Sequence, residues 1–136
     1  MSIAEYQALL DRTPFVQPYG FKVDSAADSS CTIRCPANKH FLRPDTIVSG
    51  PTFMTAADVA MWLAIVSTLG RDARSALTLE MKTNFVSALI GPAEFLCTAT
   101  VLKPGSRVVF GVAECRSTDG RLLTHHTMTY VRRDSR

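Results

Sequence analysis

Two residues, Gly50 and Asp58, have the types and spacing for chemistry. They lie in and just before PTFMTAADVAMWLAIVSTLG (51–70), a run whose only charged side chain is Asp58. Pro51 suits a first helical position and Gly70 a helix stop, so the run predicts a long helix. Gly50 then falls at its entry, where backbone N–H groups have no intrahelical partner and the helix dipole is positive. Such an N–H can stabilise negative charge developing on a carbonyl oxygen, and glycine lets a ligand come close to the backbone. The same Ser49-Gly50-Pro51 also reads as a plain turn and helix start. Asp58 sits among Phe53, Met54, Val59 and Trp62, where partial desolvation would favour a general base or a nucleophile. It also reads as a helix carboxylate paired with an arginine or exposed at a seam. Asp58 follows Pro51 by seven residues. It therefore shares a helix face with Pro51 but lies about 10 Å along the axis, at roughly 1.5 Å per residue.

The elements that must position these residues are legible as pattern. Ser2-Ile3-Ala4-Glu5 has the form of a capping box, and Ile3, Tyr6, Leu9 and Leu10 recur at helical spacing, predicting a helix over 2–12. Strand-like pieces follow near 20–26 and 30–36, then a loop over 37–50. After Gly70 the period changes from 3.6 to 2. Leu77, Leu79, Met81, Thr83 and Phe85 alternate with Thr78, Glu80, Lys82, Asn84 and Val86, and Phe95, Cys97, Ala99 and Val101 form a second apolar face. Further strands are expected near 106–117 and 121–132, separated by Pro104-Gly105 and Asp119-Gly120 turns, and Gly91-Pro92 marks the turn before residue 94. The RRDSR tail reads as frayed. A helix apolar nearly all round must be covered on almost every side. A curved sheet would do most of this, with a second copy of the chain covering the remainder.

The chain has 136 residues, 46% apolar and 20% charged, which is one domain of ordinary globular composition spanning 1–136. A formal charge of +3 suits an anionic ligand but falls short of a nucleic-acid-binding stripe. Cys31, Cys35, Cys97 and Cys115 form neither a CxxC pair nor a zinc pattern, and read as reduced, buried thiols of a cytoplasmic protein. The N-terminus has no secretory pattern. The unbroken apolar core Val59–Val66 is shorter than the roughly 20 residues of a membrane span, so a buried helix is expected rather than a membrane protein.

This order of elements, with VSGPTFMTAAD (48–58), resembles the hotdog-fold acyl-CoA thioesterases of the phenylacetate-degradation and 4-hydroxybenzoyl-CoA type, over about residues 14–131. The resemblance implies an α+β fold in which a curved antiparallel sheet of five to six strands wraps a long central helix. In the family, the helix entry reads His-Gly-Gly, four variable residues, then Leu-Ala-Asp. Ser49, Gly50 and Pro51 fall on the first three of these positions, and Ala56-Ala57-Asp58 on the last three. TLEMKTNF (78–85) resembles the family's third strand and DGRLL (119–123) its final hairpin.

By resemblance, the Gly50 N–H is the oxyanion donor and Asp58 the catalytic carboxylate, as base or nucleophile. Ser49, Pro51, Trp62, Asn84 and Phe85 then border the substrate. No metal or redox cofactor is implied, and coenzyme A enters as part of the substrate. Because Asp58 is too far along its own helix to reach a carbonyl held at Gly50, two helices packed antiparallel across a dimer would join them. This agrees with the shared sites of the family and implies a homodimer or a dimer of dimers. Ser49 departs from histidine, Trp62 replaces a small hydroxyl residue of some relatives, and Val86-Ser87-Ala88 lacks an Arg-Pro. These departures keep a non-catalytic acyl-CoA-binding protein as an alternative. A hydratase of this fold would pair Asp with His; no histidine lies near Asp58 in sequence, so His40 or His125 would have to reach it through the fold. Lys103, Arg107, Arg116, Arg132 and Arg133 are candidate contacts for CoA phosphates, with His40 and Arg43 at the pocket mouth. His125 and His126 point to opposite faces of a strand.

Overall fold

The structure is a computed structural model that describes residues 1–133. Residues 134–136 of the tail expected to fray lie outside the described residues. Helix α1 (Ile3–Asp11) opens with the expected capping box. The Ser2 hydroxyl accepts from the Glu5 N–H, and the Glu5 carboxylate accepts from the Ser2 N–H at 2.8 Å. A 3-10 turn (Pro14–Tyr19) leads into strands β1 (Lys22–Ala27) and β2 (Ser30–Cys35). Helix α2 (Gly50–Leu69) comes next, followed by β3 (Leu77–Phe85), β4 (Phe95–Pro104), β5 (Val108–Ser117) and β6 (Leu122–Val131).

All neighbouring strands pair antiparallel in the order β1-β2-β4-β5-β6-β3. The order places α2 against the inner face and leaves β3 as an edge. Each ladder except β2–β4 contains a bulge, with Asp24, Leu79, Leu102 and Leu123 as the extra residues. Bulges increase local twist and bend, and they curl this sheet around the helix. The inner face presents Ile33, Phe95, Cys97, Ala99, Val109, Ala113 and Met128 to Phe53, Ala57, Ala60, Met61 and Ala64 of α2, all buried. Contact is closest at Gly111, where an added Cβ would stand 2.5 Å from both the Met61 Cε and the Thr100 carbonyl oxygen. The run 50–69 is long and apolar enough to cross a membrane by composition, and in this fold it is the central core helix.

The two sheet edges differ. Gln7 of α1 closes the β1 edge: its side-chain amide donates to the Phe21 carbonyl at 3.1 Å and accepts from the Val23 N–H at 2.8 Å. Among the described residues the β3 edge pairs only inward, with β6, and Leu77 and Leu79 on it are 50% and 62% exposed.

The bulge at Leu79 also corrects the phase read from alternation. Leu77 lies opposite Val131, whereas Thr78, Met81, Thr83 and Phe85 lie opposite the inward residues Tyr130, Met128, His126 and Thr124. Thr78, not Leu77, therefore shares the helix-facing side with Met81 and Phe85.

All four cysteines are free and buried. Burial pushes the Cys31 and Cys35 thiols from an ordinary 9.0 up to about 12. A thiol whose pKa rises on folding supports the native state fully below the unfolded value and loses that support as pH climbs through the folded one. The melting temperature is therefore expected to fall between pH 9 and 12. The Cys31→Ala/Cys35→Ala double variant should show a shallower fall in thermal melts across that window.

Candidate active site

The helix entry is built by its neighbours. Ser49 is extended (φ −66°, ψ 146°) and its N–H donates to the Phe41 carbonyl at 2.9 Å. Its hydroxyl shares a 2.7 Å hydrogen bond with the Thr52 hydroxyl instead of capping a backbone N–H. The Gly50 N–H has no hydrogen-bond acceptor among the described residues, as its first-turn position leads one to expect. Pro51 brings no N–H of its own and leaves this donor in place. The Phe85 ring packs on Gly50 so closely that an added Cβ would lie 3.0 Å from it. Arg43, Phe53 and Val86 join Gly50 and Phe85 around a cleft of about 430 Å³.

Asp58 stands two turns along α2, in the stripe Pro51, Thr55, Asp58, Trp62 that the sheet leaves less covered than the rest of the helix. Its Oδ1 accepts from Thr78 Oγ1 at 2.6 Å and from the Tyr130 hydroxyl, which also contacts the Asp58 carbonyl oxygen at 3.0 Å. Oδ2 has no hydrogen-bond partner among the described residues. Burial and the neighbouring Asp58 charge hold the Tyr130 phenol well above its ordinary range, so it remains a neutral donor. The carboxylate is thus oriented through one oxygen and open through the other, on a cavity of about 240 Å³ walled by Leu10, Phe15, Val16, Val59 and Trp62. Tyr130→Phe is expected to lower stability by about 2 kcal/mol, the loss typical of a hydrogen bond to a charged group. Denaturant titration at neutral pH measures it.

Thr78 and Tyr130 were not singled out from the sequence. The only signal for Tyr130 was its place in the inward alternation His126, Met128, Tyr130. Thr78 was hidden by the bulge beside it. The other candidates separate. Gly50, Phe85 and Arg43 share one cleft, while Asp58 and Trp62 share the other. Asn84 lies on the outer face of β3 opposite His125, away from both. His126 is fully buried with each ring nitrogen 2.8 Å from a threonine hydroxyl, Thr83 and Thr124, and His40 is exposed. The hydroxyls of Thr78 and Tyr130, rather than an imidazole, orient Asp58. Arg116 is bound to Glu114 at 3.0 Å and to the Gly120 carbonyl at 2.9 Å. Lys103 and Arg107 are exposed at the end of the sheet where β3 begins.

A single long helix wrapped by a curled six-stranded antiparallel sheet, with a carboxylate on the helix and a bare N–H at its entry, defines a hotdog-fold protein of thioesterase type. The thioesterase superfamily model matches residues 46–124, more than half of the sequence, and the chain belongs to that superfamily. A conserved protein of Pseudomonas aeruginosa superposes with a TM-score of 0.82 at 28% identity, covering 88% of this chain and 94% of that one. A thioesterase family protein of Silicibacter pomeroyi reaches 0.85 at 22% identity, covering 96% and 97%. A mutant of the phenylacetic acid degradation protein PaaI of Thermus thermophilus reaches 0.77 at 22% identity, covering 88% and 98%. The sequence has no match among curated proteins.

Proposed function

We propose that the protein hydrolyses acyl-CoA thioesters, and that each active site takes Asp58 from one subunit and the Gly50 N–H from another. The observation that carries this reading is the state of Asp58: one oxygen clamped by two hydroxyl donors, the other unpaired at the wall of an apolar cavity. The acyl chain occupies that cavity. Oδ2 either takes a proton from a water that adds to the thioester carbonyl or attacks the carbon itself. The Gly50 N–H holds the resulting oxyanion. The C–S bond then breaks and the CoA thiolate leaves, taking up a proton: on the water route this gives the free acid directly, and on the nucleophilic route it gives an anhydride with Asp58 that one water hydrolyses to the acid and the free carboxylate.

Assembly follows from the β3 edge. Leu77, Leu79, Phe85 and Val86 make it exposed and apolar, the kind of edge that pairs with another chain. Two β3 strands paired antiparallel bring the Thr78 end of one chain beside the Phe85 end of the other. Phe85 carries Gly50 with it, and Thr78 holds Asp58, so the two half-sites meet twice per dimer. Lys103 and Arg107 lie at the Asp58 end of the sheet, within reach of the CoA phosphates of a substrate entering there. Arg43 approaches from the partner's cleft.

A panel of aliphatic and aromatic acyl-CoA thioesters, monitored for thiol release, tests the reading. Turnover of at least one class is expected. Tight binding without release at elevated protein concentration would instead assign the alternative, an acyl-CoA-binding protein, for which Trp62 beside Asp58 supplies the motive.

A further inference from the structure

One helical turn beyond Asp58, the wall of the apolar cavity is the Trp62 indole. On its other side lies a second cleft of about 560 Å³ bordered by Arg12, Arg74 and Ser75. Trp62 and Thr13 border both spaces. The ring is anchored in this position. Its Nε1–H donates to the Arg74 carbonyl at 2.7 Å, tying it to the 3-10 turn Arg71–Ser75. Arg71 is in turn bridged to Glu5 of α1 at 2.6 Å. Swinging the indole aside would leave its N–H without this acceptor, and a partly covered indole N–H ordinarily keeps a partner.

We infer that Trp62 is the end wall of the acyl chamber and sets the longest acyl chain the site accepts. The inference rests on the acyl-CoA reading above and deepens it. The chamber of about 240 Å³ has Asp58 and Trp62 in its wall one helical turn apart, so the ring bounds the acyl group on that side. A longer chain meets a fixed aromatic wall. Removing that wall joins the chamber to the cleft beside Arg12 and Arg74 and makes room for the rest of the chain.

The test is titration calorimetry with non-hydrolysable S-alkyl-CoA thioethers of increasing length, on the wild type and on Trp62→Ala and Trp62→Phe, each checked for fold by circular dichroism. Wild-type affinity should show a break along the series and fall about tenfold or more per methylene added beyond it, the scale on which a filled apolar pocket rejects one. Trp62→Ala should bind the longer analogues without a break. Trp62→Phe retains a ring but loses the N–H anchor, and should bind the analogue just past the break about tenfold more tightly. If Trp62→Ala does not fold, the Phe variant decides. A break at the same length in a folded variant, or no break in the wild type, overturns the assignment. Hydrolysis is read separately. A wild type that shows the break, loses it with Trp62, and hydrolyses no thioester supports the wall and overturns only the proposed activity.

Discussion

Asp58→Asn is expected to abolish thioester hydrolysis while leaving the fold and substrate binding in place. Asparagine keeps an oxygen where Oδ1 stands, so Thr78 and Tyr130 still have their acceptor and α2 its seat against β3 and β6. What is lost is the negative charge and basicity at Oδ2, the oxygen without a hydrogen-bond partner among the described residues, in a residue that lines the cavity. Loss of a positioned base lowers the rate by about 10²–10⁴-fold, and loss of a nucleophile by at least as much. Thiol release on the best substrate should fall by that factor, with the folded circular-dichroism spectrum and the thioether affinity retained and the melting temperature lowered only as far as two charge-assisted hydrogen bonds become neutral ones. Full activity in the folded variant would remove Asp58 from the chemistry.

The second large effect concerns the division of the site between chains. Gly50→Pro deletes the unpaired N–H at the first helical position, where no intrahelical hydrogen bond is lost, although the residue before Pro51 gains a Cβ. The added atoms meet the Phe85 ring, 3.0 Å from a Cβ at this position, so the variant's fold and dimer are checked by circular dichroism and size exclusion before rates are read. Alone, this variant should lose about 10²–10³ in rate, the loss typical of removing one oxyanion donor. Co-expressed with Asp58→Asn it should recover about a quarter of wild-type activity, because half of the two-fold dimers are mixed and each mixed dimer has one intact site. A site contained within one chain would give no recovery. The separation of Gly50 and Asp58 into different clefts, about two helical turns apart, favours recovery.

The two halves of the site differ in how far the sequence exposes them. The central helix is written in its composition, because a run apolar on every side and holding one carboxylate has few places to go except a core. All six strands are visible in the sequence near their observed places, from β1 near 20–26 to β6 near 121–132, and the Asp119-Gly120 turn marks the last hairpin. The 3-10 turns at Pro14–Tyr19 and Arg71–Ser75 were not, since tight turns of this kind carry no apolar period. Both matter to function: the first supplies the chamber wall at Phe15 and Val16, and the second anchors Trp62.

What the sequence determined by itself was the class of fold and the separation of Gly50 from Asp58, because helix rise and hydrophobic period are local properties of consecutive residues. What only the tertiary structure decided was which side chains meet Asp58. Thr78 reaches it because an extra residue, Leu79, shifts the phase of β3, and Tyr130 reaches it because β6 lies beside β3 in the sheet. A bulge is invisible in a period-two pattern read from one strand alone, since only the partner strand reveals the extra residue. Strand order depends on contacts between residues far apart in the chain, and for the same reason Asn84 faces away from the site while Phe85, its neighbour, packs on Gly50.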